Sequence, residues 1–242
     1  MHAPLGFLSR IFSIAACVTL LTACAAAPRT VESDAAVRSV VIVTLLEEKA
    51  PVARIGLTVF NNETATLDQQ GELNRLANQI VKKHLRDKRP NWVIKDSPIT
   101  SQALLNKEKA GGVAWNSFTG NITNDLREIA QATGADLLFV VMDTKQENAP
   151  GRGVGIWFRA LSPSSASKAL VHAHVLLALV DRDGKELNRR GGADPVDIPA
   201  SELGLTYDLS SLKDPEVSRR LSEALKKQLS ASLELATTRM GY

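Results

Sequence analysis

Residues 134–143 read Gly-Ala-Asp-Leu-Leu-Phe-Val-Val-Met-Asp, and every position from Leu137 to Met142 is apolar. A short apolar run without polar alternation predicts a strand buried on both faces. Such a strand needs apolar cover above and below it. The cover is written on either side. Upstream, Leu126, Ile129 and Ala130 recur at helical spacing, with Asn121 or Thr123 as the cap and Gly134 as the C-terminal stop. Downstream, residues 154–159 and 169–180 read as strands. Asp181-Arg182-Asp183-Gly184 is a hairpin turn signal, and residues 185–190 form the return strand.

The flanks repeat the alternation. Residues 38–46, RSVVIVTLL, read as a strand. Residues 47–51 break it and residues 53–60 form a second strand, close enough for an antiparallel pair. A turn follows at 61–64. Thr66 as cap with Gln69 three residues on predicts a helix over 67–87, with Leu73, Leu76, Ala77, Ile80, Val81 and Leu85 on one face. Pro90 stops it. Residues 91–95 read as a short strand, 100–109 as a short helix and 111–117 as a loop. Residues 191–213 read as an ordered surface excursion. Asp214-Pro215-Glu216 then opens a helix with a cap, Pro at its first position and an early acid. Its stripe runs Val217, Leu221, Ala224, Leu225, Leu229, Leu233, Ala236, and Gly241 ends it. The fold class is α/β: a single domain, a mixed β-sheet flanked by helices, with a C-terminal amphipathic helix.

Composition supports this. The 242 residues are 44% apolar and 23% charged, enough for one real core. The net charge of +3 is small and spread along the chain, which is no footprint of nucleic-acid binding. The two cysteines, Cys17 and Cys24, both precede the domain, so the domain has no disulfide, thiolate nucleophile or Cys-based metal site.

The start of the chain reads as an address. Arg10 closes a short leader, and residues 11–23 are uncharged. Thirteen residues are too few to span a bilayer as a helix and fit the apolar region of a signal peptide. Leu21-Thr22-Ala23-Cys24 resembles a bacterial lipobox. That resemblance implies a diacylglycerol thioether on Cys24, cleavage just before it and acylation of the new amine. Two or three acyl chains hold a protein stably where one holds it marginally. Ala25, rather than Asp, after the cysteine resembles the outer-membrane class. An ordinary secretory signal, cleaved for instance after Ala25-Ala26-Ala27, is the alternative. The expected division is 1–23 signal peptide, 24–37 flexible tether and 38–242 periplasmic domain.

The unit of helix, Gly134-Ala135-Asp136 and buried strand, followed by the hairpin VLLALVDRDGKEL at 175–187, is similar to the curli-secretion lipoprotein family. It is similar also to the N-terminal domain of the periplasmic Tol-Pal protein. The resemblance implies an anticodon-binding-domain-like α/β fold. The repeated long amphipathic strands of a membrane pore are lacking, so pore function is not implied. Residues 55–62 and the opening strands also resemble uncharacterised proteobacterial lipoproteins.

Candidate chemistry is sparse. His172 and His174 share one face of a strand and could contribute to a zinc site, but two ligands are not a site. The simpler account is a half-solvated sheet face, with Val171, Ala173 and Val175 on the buried one. His84 falls on the basic end of a helix. Ser165-Ala166-Ser167-Lys168 fits Ser-x-x-Lys, but lies in a turn and lacks a Lys-Thr-Gly partner. Gly151–Gly155 precedes a strand rather than opening a helix, so neither glycine-rich nucleotide template fits. Arg152 in that loop could clamp an anionic partner, and Trp115 could anchor one or fold back on the core. No metal and no cofactor are implied. The reading is a non-enzymatic lipoprotein adaptor or assembly accessory, with the membrane and another envelope protein as partners. The alternatives are a periplasmic hydrolase or metal-dependent enzyme using His172 and His174, and a small-ligand sensor using the 151–155 loop.

Overall fold

The computed structural model describes residues 29–30, 33–56, 62–110, 119–145, 151–160, 168–207 and 209–242. Its strands are β1 (Ser39–Leu45), β2 (Lys49–Ile55), β3 (Glu63–Asp68), β4 (Val93–Asp96), β5 (Leu137–Asp143), β6 (Gly153–Arg159), β7 (Lys168–Asp181), β8 (Glu186–Gly191) and β9 (Val196–Pro199). Its helices are α1 (Glu72–Lys88), α2 (Ser101–Ala110), α3 (Thr123–Thr133) and α4 (Pro215–Met240). The strands form one curled mixed sheet in the order β3-β2-β6-β7-β5-β1-β4, with β8 and β9 both paired to β7. The α/β class, the mixed sheet and the C-terminal helix are as the sequence predicts.

β5 is buried at all seven positions, and so is β1. Side chains alternate between two cores. Val40, Ile42, Phe139 and Val141 meet α1 and α4 on one face. Val41, Val43, Leu138 and Val140 meet α2 and α3 on the other. The period of two and the double cover together explain why these strands carry no polar alternation. In α4, Leu221, Leu225, Leu229 and Leu233 are all 0% exposed and form its sheet-facing stripe.

β7 is the spine. Its first half pairs with β6 and β9, its second half with β5 and β8. The hairpin turn at 181–184 forms as predicted, with Gly184 at φ 82. Gly134 closes α3 at φ 61 and Gly241 closes α4 at φ 100, both left-handed caps. Asp214 caps α4 by accepting from the Glu216 backbone N–H at 2.8 Å.

Several local expectations fail. β1 and β2 are not an antiparallel pair: β1 lies between β4 and β5, both parallel to it, and β2 pairs with β3 and β6. A doubly buried strand takes the sheet centre, whereas β2, buried at every second position, suits a one-sided region. The second strand covers 49–55 rather than 53–60. Residues 57–61 lie outside the described residues.

The helix expected over 67–87 begins at Glu72, because 63–68 alternate as β3 and Gln70 and Gly71 turn left-handed at φ 48 and 75. Thr66 therefore pairs with Pro51 in the sheet instead of capping. Gln69 accepts the Ser222 hydroxyl at 2.8 Å instead of closing a capping box. Neither Asn121 nor Thr123 caps α3, which continues from a 3-10 turn at Gly120–Ile122. The 191–213 excursion contains β9 and a 3-10 turn at Leu209–Lys213.

Candidate functional site

His172 and His174 stand on β7 opposite Gly155 and Gly153 of β6, so the 151–155 stretch expected as a loop is strand from Gly153 onward. They are 2% and 3% exposed, not on a half-solvated face as the strand pattern suggests. The correction has a local cause: glycines let backbone close over them. A Cβ on Gly155 would lie 2.9 Å from His172 Nε2 and 3.0 Å from Pro51 Cγ. One on Gly151 would lie 3.1 Å from the same ring. The two imidazoles stack with centroids 4.5 Å apart and planes 17° from parallel.

His172 Nδ1 lies 3.0 Å from the Gly153 carbonyl oxygen, which can only accept, so Nδ1 carries a proton. Burial first, and then the neighbouring His174, push the His172 pKa down from 6.5 to about 4, against the Gly153 carbonyl. Burial also lowers His174. Its Nε2 is buried without a hydrogen-bond partner among the described residues. Among the described residues no third His, Cys, Asp or Glu joins them to make a group that could hold a metal ion. The pair is thus two neutral rings packed into the interior.

Arg152 reaches back across the same loop. Its Nη2 lies 3.1 Å from both carboxylate oxygens of Glu108 on α2 and 3.4 Å from the Asp143 carbonyl oxygen. It therefore ties the entry of β6 to α2. Lys168 forms a surface pair with Asp197 at 3.8 Å. Trp115, Ser165, Ser167 and Cys24 lie outside the described residues.

A shallow crevice of about 210 Å³ opens where β1 and β4 end, lined by Thr44, Asn78, Asp96, Ser97, Ile99 and Thr100. It sits at the carboxyl ends of the neighbouring parallel strands β1 and β4. It is smaller than the roughly 300–1,000 Å³ of ordinary ligand pockets.

Two charged clusters have no signature in the sequence. Arg54 on β2 is 4% exposed, with its guanidinium 4.6 Å from the Tyr207 ring centroid and Nη2 2.9 Å from Glu63. Its Nε and Nη1 have no hydrogen-bond partner among the described residues.

The second cluster gathers at the pole where the described chain begins. The Arg29 backbone N–H donates to the Met240 carbonyl at 2.9 Å. The Asp34 carboxylate, 3% exposed, accepts from Arg29 at 2.6 Å and from Arg89 at 3.0 Å. Arg89 sits 4.9 Å from the Tyr242 ring centroid, and Tyr242 packs against Trp92 and Phe139 at 5.6 and 5.0 Å. Burial, and then the Asp34 charge, push the Tyr242 phenol above its ordinary value of 10. Residues 29 and 34, inside the segment expected to be a flexible tether, are thus fastened to the domain.

No protein-family model matches the chain, and no curated protein matches it. Among solved structures, the chain is similar to a lipoprotein from Neisseria meningitidis at 14% identity and a TM-score of 0.24, covering 66% of this chain and 79% of that one. It is similar also to a Xanthomonas campestris protein of the DUF330 family at 10% identity and a TM-score of 0.35, covering 89% and 87%.

Proposed function

We propose that this chain is a lipid-anchored bacterial envelope lipoprotein whose α/β domain faces the periplasm and serves as a non-enzymatic adaptor or assembly accessory. The observation that carries the reading is the order Arg10, an uncharged run over 11–23, and Leu21-Thr22-Ala23-Cys24. That order resembles the signal and lipobox of exported lipoproteins. Ala25 supports placement in the outer membrane. The sequence at 121–190 resembles the curli-secretion and Tol-Pal N-terminal domains, an analogy of fold that carries no function.

An adaptor needs a presented surface rather than a reactive centre. The two imidazoles that invited a catalytic role are sealed and, at neutral pH, uncharged, which favours a packing role for them. In this reading Arg152 and Trp115 are candidate contacts for an envelope partner. Arg152 would exchange Glu108 for a partner's carboxylate.

Mass spectrometry of the native chain tests the anchor. The expected result is a first residue Cys24 carrying acyl chains. Cys24→Ser should leave the protein unprocessed or release it from membranes. An unmodified N-terminus at another residue would remove the proposal. Crosslinking in intact envelopes tests the adaptor role, and one enriched envelope protein is the expected product.

A further inference from the structure

The pole at which Arg29 docks has a second property. The Val93 N–H donates to the Arg38 carbonyl at 2.9 Å, Trp92 packs at a tilt against Tyr242, and Arg89 lies over both rings. These contacts bring the start of β1, the end of α1, the edge strand β4 and the end of α4 into one surface. Arg38, Arg86 and Lys88 are exposed there together with Asp87, and Arg239 in the last turn of α4 is exposed with its guanidinium 3.4 Å from the Gly191 carbonyl oxygen. Val93 adds an apolar side chain that is 58% exposed. Toward the other end of α4 the cations are neutralised differently: Arg219 and Arg220 pair with Glu216, and Lys226 pairs with Glu72.

We propose that this basic pole lies against an anionic phospholipid surface. The inference rests on lipid attachment at Cys24 as proposed above. Five residues of fully extended chain reach at most about 17 Å, so an acylated Cys24 holds Arg29 within that distance of the headgroups. Arg29 cannot be let out further without cost, because its backbone is hydrogen-bonded to Met240 and its guanidinium to Asp34. A Cβ on Gly241 would lie 2.3 Å from the Arg29 carbonyl oxygen, so the Arg29 backbone packs directly against the glycine that ends α4. The attachment therefore selects which face meets the lipid, and that face carries the exposed Arg38, Arg86 and Lys88. Each such cation near an anionic surface strengthens binding about fivefold, and the effect fades within a Debye length of about 8–10 Å.

The test uses the native lipidated chain in vesicles of phosphatidylcholine alone or mixed with phosphatidylglycerol. Flotation reports the anchor, and amide hydrogen exchange over 86–93 and 238–242 reports the pole. The expected result is flotation in both, with exchange slowed about tenfold or more only with phosphatidylglycerol. In Arg38→Glu/Lys88→Glu/Arg239→Glu the protection should vanish while flotation persists. The matching Gln triple variant should keep an intermediate degree of protection. Flotation with equal exchange in both vesicles would overturn the proposal and leave the anchor standing. Failure to float would instead overturn the anchor. Sedimentation of the unanchored chain with phosphatidylglycerol vesicles then decides the pole: salt-sensitive binding lost in the Glu variant supports it, and no binding overturns it.

Discussion

Acid should destabilise this domain through His172 in a defined window. In the folded chain the ring titrates at about 4, whereas its ordinary value is 6.5. The unfolded chain therefore binds the proton first as pH falls, and protonation favours unfolding. The stability tied to the neutral ring is fully present above pH 6.5 and is lost progressively down to about 4. Between pH 7.5 and 5.0 the linkage relation gives a loss of about 2 kcal/mol from this one ring. His174 shifts in the same direction and adds to it. Urea denaturation at those two pH values, for the native sequence and His172→Gln, measures the effect. Glutamine can still donate toward the Gly153 carbonyl but does not titrate. The difference in unfolding free energy between pH 7.5 and 5.0 should be larger in the native sequence by about 2 kcal/mol. Carboxylates titrate equally in both chains and cancel. Equal pH dependence in the two chains would refute the argument that burial keeps this ring neutral.

Three further outcomes follow from the packing. Asp34→Ala strands the Arg89 guanidinium, whose side chain is 7% exposed, and should cost about 3–5 kcal/mol in urea unfolding. A cost under about 1 kcal/mol would show that the pair is not desolvated as described. Gly155→Ala drives a Cβ to 2.9 Å from His172 Nε2 and should lower stability by about 1–3 kcal/mol. In a His172→Ala background the same glycine substitution should cost less, with the 3.0 Å approach to Pro51 Cγ accounting for what remains; an unchanged cost would refute the contact with His172. Asp214→Ala removes the cap that accepts from Glu216 and should cost about 1 kcal/mol. Faster exchange confined to the first turn of α4 is the matching signature.

What could be read from the chain was what is repeated or punctuated. The apolar run of β5, the Asp-Gly hairpin after β7 and the cap-to-glycine frame of α4 each carry redundant local signals, and each formed where expected. Residues 63–71 misled because Thr66 and Gln69 match a helix start by type, while the alternation of Thr64, Thr66 and Asp68 favours a strand and the left-handed pair at 70–71 delays the helix. Partner choice between strands was hidden, since β1 meets β5 only after nearly a hundred residues. The sealing of His172 and His174 depends on glycines at 151 and 155 that read locally as a loop. Asp34 with Arg89, 55 positions apart, leaves no pattern at all.

The fourteen residues of β7 are bonded to four different neighbours, two along each half. The domain consequently has no seam along which it could come apart in stages. β6 and β9 hold the two opposite edges of its first half, and β5 and β8 those of its second, so loosening any one of them exposes an edge of the shared strand. Native-state exchange should find one cooperative block rather than two subunits of stability, and an insertion within β7 should abolish folding everywhere at once.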